Sequence, residues 1–171
     1  HIVIALQSIV SRNADPTDQI VVSVTSFETS STAFNVIPQT VVLKGTVRTL
    51  SDETRDLAEK RLEEIARKTG DVFGANVDPV YTRGYPVMTN SVDQTEFAAS
   101  VAKSVSGYCE EAPLVMGGED FSYMAIERPG AYILIGNGDS APVHNPNYNF
   151  NDEAISIGCS WWAEIIEKRM P

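Results

Sequence analysis

Residues 41–67, VVLKGTVRTLSDETRDLAEKRLEEIAR, predict a strand that leads directly into a long helix. Val41, Leu43 and Val47 alternate with a second set of residues, Val42, Lys44, Thr46 and Arg48, so one face of the strand is apolar and the other mostly polar. Ser51 follows as a helix cap, ahead of an acidic first turn. Apolar residues then recur at helical spacing and predict the buried stripe of this helix: Ala58, Leu62, Ile65 and Ala66.

The segments on either side of this stretch complete a small domain. Residues 2–10 predict an opening helix, and the β-branched residues 19–25 predict a strand. The second strand is expected to span residues 36–49, and a third strand is expected at residues 77–82. This order predicts an α+β domain, an antiparallel sheet with two helices on one face.

The second half of the chain reads as the end of an α/β domain. A crossing at residues 84–86 separates it from the first half, which sets the predicted domains at 1–84 and 85–171. A helix that starts at Ser91 or Asp93 is followed by an apolar strand at residues 131–135, of the kind that is buried on both faces. The first half opens inside a helix with no strand before it. We therefore expect the chain to be a C-terminal piece of a longer protein.

The charge and cysteine content of the chain argue against some classes of binding partner and of fold. With 13 basic and 23 acidic residues the net charge is −10, which argues against nucleic acid and anionic membranes, because both select basic surfaces. Cys109 and Cys159 are too few and too far apart for a disulfide framework. Two reduced thiols fit a cytoplasmic protein.

Two loops hold the residue types that carry chemistry. His144 lies in a Pro- and Asn-rich loop just before a helix start, and neutral imidazole is the commonest metal ligand. Residues 116–122, MGGEDFS, place two glycines ahead of paired carboxylates, which read either as a solvated acidic turn or helix cap, or as a loop close to a ligand. One histidine and a few acids do not complete a hydrolytic metal site. Either residues outside the chain complete it, or there is no site.

Four motifs carry a family resemblance along nearly the whole chain. They are FNVIP at residues 34–38, GTVRTL at 45–50, MGGEDFS at 116–122 and HNPNYNFND at 144–152. In this order and spacing they resemble the hippurate hydrolase and N-acyl-amino-acid amidohydrolase group, within the aminoacylase and carboxypeptidase G-like dinuclear metallopeptidases. The resemblance implies hydrolysis of an N-acyl amino acid to a carboxylic acid and a free amino acid, with two divalent ions, zinc or manganese.

The resemblance also assigns roles to parts of this chain. It implies that residues 1–84 are most of an inserted dimerisation domain, so that the protein is a homodimer or a higher homo-oligomer. Residues 85–171 would be the C-terminal portion of the catalytic domain. His144 is expected to be the last metal ligand, and Asn35 and Arg48 the pair that binds the substrate carboxylate. Three residues are expected to line the site: Gly117, Gly118 and Glu119.

The departures from the family pattern limit what this chain does alone. The family's other metal ligands, its general-base glutamate and the insert's catalytic histidine have no counterpart here and would lie before residue 1. We therefore assign no catalytic residue, and expect the 171 residues alone to be inactive and metal-free or weakly metal-bound. Residues 28–32 lack the glycine pair that many relatives carry, which argues against a close substrate contact there. The alternative function is a non-catalytic dimerisation or binding module.

Overall fold

Two antiparallel strands, β1 (Ile20–Thr29) and β2 (Val41–Thr49), form the sheet in this structure, a computed structural model that describes residues 1–170. The pairing runs from Ile20 opposite Thr49 to Thr29 opposite Val41. The register shifts between Val24 and Ser26, which leaves Thr25 as the extra residue of a β-bulge. The predicted alternation along β2 is confirmed for Leu43 and Val47, which are half-buried between exposed neighbours, and is wrong for Val41, which is exposed at the hairpin end of the strand.

Gly45 is required where the bulge brings the two backbones together. It pairs with Val24, and a Cβ built on Gly45 would lie 2.2 Å from the carbonyl oxygen of Ser23. No side chain fits at that distance without a shift of the strand.

Gly45→Ala is therefore expected to lower the free energy of unfolding by about 1–3 kcal/mol, the usual cost of forcing extra atoms into a packed site. Thermal and urea unfolding measure the change. Gly84→Ala is the matched control, because nothing lies within 4 Å of a Cβ built on Gly84. A Gly45→Ala variant that unfolds at the wild-type midpoint would contradict the close approach.

Helices cover one face of the sheet. α1 (Ile2–Leu6), a π-helical turn (Ile9–Asn13) and α2 (Asp52–Val72) provide the helical side of the core. Ser51 caps α2 as predicted, since its hydroxyl accepts the Thr54 N–H at 3.1 Å. Five buried residues from both layers form the core: Leu6, Ile9, Ile20, Val22 and Ala58. The predicted antiparallel sheet with helices on one face is thus present, although the opening helix is not continuous over residues 2–10.

Residues 77–82 were expected as a third strand, and this prediction is wrong. Within residues 1–170 they form no backbone ladder with β1 or β2. The chain folds back over α2 instead: the Ala75 N–H donates to the Gly70 carbonyl at 3.0 Å, and Val77 packs over Gly70. The expected start of the second strand at residue 36 is also wrong, because β2 begins at Val41.

The second unit is built from three helices. They are α3 (Val92–Ser106), α4 (Phe121–Glu127) and α5 (Glu153–Arg169). Ala98, Val101 and Trp161 form its buried cluster, and the Trp161 indole N–H donates to the Ala98 carbonyl at 3.1 Å. Gly107 ends α3 in the left-handed conformation, which glycine adopts without a steric cost.

Residues 131–135 do not form the expected buried strand. Ala131 and Ile133 pack against the α3–α5 cluster, but Leu134 is 64% exposed and Ile135 is 47% exposed. Within the described residues no neighbouring strand pairs with this segment. A continuous apolar run therefore predicted burial on both faces, and the structure buries only one.

The chain divides into two units by its internal contacts. The first contains His1–Val87 and Met116–Gly118, and the second contains Met88–Val115 and the chain from Glu119 onward. Among the described helices, none is long and apolar enough to cross a membrane.

Candidate functional site

Asn35 lies in the loop that joins β1 to β2. The loop is held at its base by the Ser30 N–H, which donates to the Thr40 carbonyl at 3.1 Å, and the Val36 N–H donates to the Ala33 carbonyl at 3.3 Å. Asn35 itself is exposed, and no hydrogen bond of its side chain is found among residues 1–170. The structure therefore displays the Asn35 amide at a hairpin tip. No hydrogen bond joins it to Arg48.

Arg48 lies on the sheet face that points away from the core. It stands opposite Val21 on β1 and is exposed. In the part of the chain that the structure describes, no carboxylate pairs with its guanidinium, so Arg48 forms no salt bridge at the edge of the sheet. Lys44, on the same face of β2, pairs with Glu28 at 2.9 Å, and this contact lowers the pKa of the Glu28 carboxyl. Arg48 thus keeps its fork of donors free for an external carboxylate.

Gly118 lies directly against Arg48. A Cβ built on Gly118 would lie 3.4 Å from Arg48 Nη1 and 3.2 Å from the ring of Tyr85. The chain before Tyr85 is fastened to α2, since Arg55 Nη2 donates to the Gly84 carbonyl at 2.8 Å. The structure therefore brings together two of the predicted substrate-binding residues, and a Cβ at position 118 would be tight against the Tyr85 ring and in van der Waals contact with the guanidinium. Gly117 is exposed beside them.

Glu119 is held as a carboxylate. A hydrogen bond from the Tyr132 hydroxyl is the largest cause that lowers its pKa, and the Phe121 N–H, 3.4 Å from Oε1, lowers it further. The same contact raises the pKa of Tyr132. Glu119 is thus an ionised hydrogen-bond acceptor at neutral pH, which suits it to receive an N–H or a cation rather than to donate a proton.

Asn90 fixes the residue that faces Glu119. Its side chain accepts the Tyr132 N–H at 2.7 Å and donates to the Tyr132 carbonyl at 2.9 Å. The Asn90 side-chain amide thus satisfies the two backbone groups that a neighbouring strand would otherwise pair with. Neither Asn90 nor Tyr132 was predicted from the sequence. An isolated Asn ahead of a helix carries no signal for a partner some forty residues away, because that pairing exists only in the folded chain.

His144 stands at the apex of its loop in a conformation that few residues adopt. Its φ is 68°, and among the described residues it is the only one other than glycine with a positive φ. The turn is closed by the Asn145 N–H, which donates to the Pro142 carbonyl at 3.1 Å. The His144 side chain is exposed and has no hydrogen-bond or ion-pair partner within residues 1–170. Strained backbone of this kind concentrates at functional sites.

The described residues do not form a closed metal site. No group of three or more His, Cys, Asp or Glu side chains within residues 1–170 is arranged to hold a metal ion. An open depression lies beside the His144 loop, between residues 137–141 and the stretch from Asn147 to Asp152. Asn and Ser residues make up half of its lining, and Asp139 and Asp152 are the two carboxylates among the lining residues. His144 can contribute one ligand to a site; the described residues do not complete it.

The chain is similar in sequence to curated bacterial hydrolases. It is 34% identical to the hippurate hydrolase of Campylobacter jejuni over 98% of this chain and 44% of the relative. It is 34% identical to the N-acetyldiaminopimelate deacetylase of Enterococcus faecalis over 89% of this chain and 40% of the relative. The chain therefore spans less than half the length of these relatives.

Two solved structures share the fold of this chain. A dinuclear metal binding peptidase of the M20 family from Bacillus subtilis, the YXEP protein, aligns with a TM-score of 0.73 at 27% identity, over 96% of this chain and 43% of that chain. A crystal structure described as an aminohydrolase from methicillin-resistant Staphylococcus aureus aligns with a TM-score of 0.73 at 30% identity, over 99% of this chain and 45% of that chain.

The family model for peptidase family M20/M25/M40 matches residues 4–168, which is almost the whole chain. The resemblance predicted from the four motifs is therefore confirmed, and the chain belongs to peptidase family M20/M25/M40.

Proposed function

We propose that the complete protein containing this chain is a metal-dependent amidohydrolase that cleaves N-acyl amino acids to a carboxylic acid and a free amino acid. One observation carries the proposal. His144, the histidine of the HNPNYNFND motif, is the only described residue other than glycine with a positive φ, and its side chain has no partner among residues 1–170. Named relatives that act on acyl amino acids support the substrate class.

The residues present suit a divalent metal ion at His144. The imidazole is exposed and makes no hydrogen bond within residues 1–170, so a ring nitrogen is available as a ligand. The dinuclear metal described for the Bacillus subtilis relative supports a pair of ions, which we propose to be zinc or manganese. Bound ions would activate water and polarise the scissile carbonyl. Ligands from outside these 171 residues would complete the site.

This chain also provides groups that bind and orient the substrate. We propose that the Arg48 guanidinium binds the substrate carboxylate through two parallel N–H donors, and that Asn35 adds a third donor. Gly118 leaves room beside Arg48, and we propose that the exposed Gly117 lines the site next to it. Glu119, held ionised, would accept a hydrogen bond from the substrate rather than transfer a proton.

The proposal extends to assembly and location. Residues 1–84 would mediate formation of a homodimer or higher homo-oligomer in the cytoplasm, and 85–171 would belong to the catalytic domain. An isolated polypeptide of residues 1–171 would be inactive, since its described residues form no metal cluster. That same observation favours the alternative that this segment serves as a dimerisation or binding module.

A hydrolysis assay on the complete protein tests the function. We expect hippurate and N-acetyl amino acids to be cleaved, the activity to be lost with a chelator, and Zn²⁺ or Mn²⁺ to restore it. Released amino acid measures the reaction. Hydrolysis that survives complete metal removal would contradict the metal-dependent mechanism, and a stable dimer with neither metal nor hydrolysis would favour the module.

A further inference from the structure

The side chain of Asn137 joins the two ends of the loop that carries His144. Its Nδ2 donates to the Ser140 hydroxyl at 2.7 Å and to the Asn149 carbonyl at 2.8 Å. Its Oδ1 accepts the Asn151 N–H at 2.7 Å. One primary amide offers two donors and one acceptor oxygen, so all of these groups are engaged.

The other hydrogen bonds of the loop are local. The Asn145 N–H donates to the Pro142 carbonyl at 3.1 Å, and the Tyr148 N–H donates to the Asn145 carbonyl at 2.9 Å. These bonds shape the apex around His144 without joining its two arms. Within the described residues, the hydrogen bonds that cross from one arm to the other all come from Asn137.

The bond to Asn151 also ties the loop to α5. The Asn151 side chain accepts the N–H of Glu153, the first residue of α5, at 3.0 Å. Gly138 adopts a φ of +77°, which lets the first arm turn directly after Asn137. The Asn137 side chain thus ties the first arm of the loop to the segment that begins the 17-residue helix α5.

We propose that Asn137 is the positioning residue of the His144 loop and sets the imidazole for metal binding. The inference rests on the proposed function, in which His144 is a ligand. Aspartate at position 137 has the same shape but no N–H donors, and it would place a carboxylate oxygen against the Asn149 carbonyl. Alanine removes all three bonds.

Metal affinity in the complete protein tests the role. We expect Asn137→Asp and Asn137→Ala to weaken Mn²⁺ binding, measured by calorimetry, by about tenfold to a hundredfold, as loss of an outer partner of a ligand does. Asn147→Ala is the matched control, because this asparagine of the same loop makes no side-chain hydrogen bond among the described residues. Wild-type affinity in both Asn137 variants would overturn the proposal.

A double-mutant cycle separates positioning from a general structural role. If Asn137 acts through His144, Asn137→Ala causes no further loss of Mn²⁺ affinity in a His144→Ala background. Losses that add would overturn the positioning role.

Hydrogen exchange distinguishes failure of this inference from failure of the proposed function. The Asn151 amide is expected to exchange faster in Asn137→Ala than in wild type, and unchanged exchange would overturn the closure of the loop. Faster exchange together with wild-type Mn²⁺ affinity in His144→Ala would support the closure but overturn the metal-binding function of His144.

Discussion

His144→Ala in the complete protein is expected to remove at least one metal ion and to lower kcat/KM for hippurate by about a thousandfold or more. A bound metal contributes several kcal/mol to stabilising the transition state, and about 1.4 kcal/mol corresponds to a factor of ten in rate. The exposed imidazole has no other partner within residues 1–170 that its loss would disturb. Metal content by mass spectrometry and steady-state kinetics measure the two effects.

The other histidine of the chain provides the control. His1 stacks on Phe73 with ring centroids 4.4 Å apart, so His1→Ala removes the same side chain from a packing contact instead of from the His144 loop. This variant is expected to keep its metal content and its kcat/KM. A His144→Ala variant that retains both would exclude His144 as a ligand.

Arg48→Lys is expected to lower kcat/KM for N-acyl amino acids by about tenfold to a hundredfold, mainly through KM. Lysine keeps the charge but loses the planar pair of donors, and hydrogen bonds to charged groups contribute about 1.5–3 kcal/mol. Gly118 leaves the guanidinium uncrowded, and no carboxylate of the described residues competes for it.

Lys44→Ala is the matched control, because Lys44 lies on the same strand and face and is already paired with Glu28. A carboxamide analogue of the substrate isolates the contact. The wild-type protein should discriminate strongly against the analogue, and Arg48→Lys should discriminate much less. An equal effect of Arg48→Lys on both compounds would contradict a carboxylate contact.

Local patterns predicted the elements whose stability is local. The helix that starts after Ser51 was predictable because its cap, acidic first turn and apolar stripe all lie within one segment. The strand ending at Thr49 was predictable from alternation. Residues 77–82 and 131–135 were not, since a strand exists only through a partner, and apolar composition does not show whether one is present.

The residues of the candidate site also differ in whether a local pattern predicts them. His144 and Arg48 were found from motifs, and their exposed, unpartnered state agrees with the roles that remain predictions for them. Asn137 and Asn90 were missed because each acts on backbone groups that are distant in sequence. An amide side chain has the same composition whether it is solvated or joins two segments, so only three-dimensional contacts reveal it.

The indole contact of Trp161 has a consequence for spectroscopy. Both tryptophans of the chain are adjacent on α5, one buried with its N–H donated to Ala98 and the other 59% exposed. Within these 171 residues, tryptophan emission therefore arises from the unit that contains His144. That emission therefore reports on the surroundings of α5, and circular dichroism is the signal that follows the β1–β2 sheet.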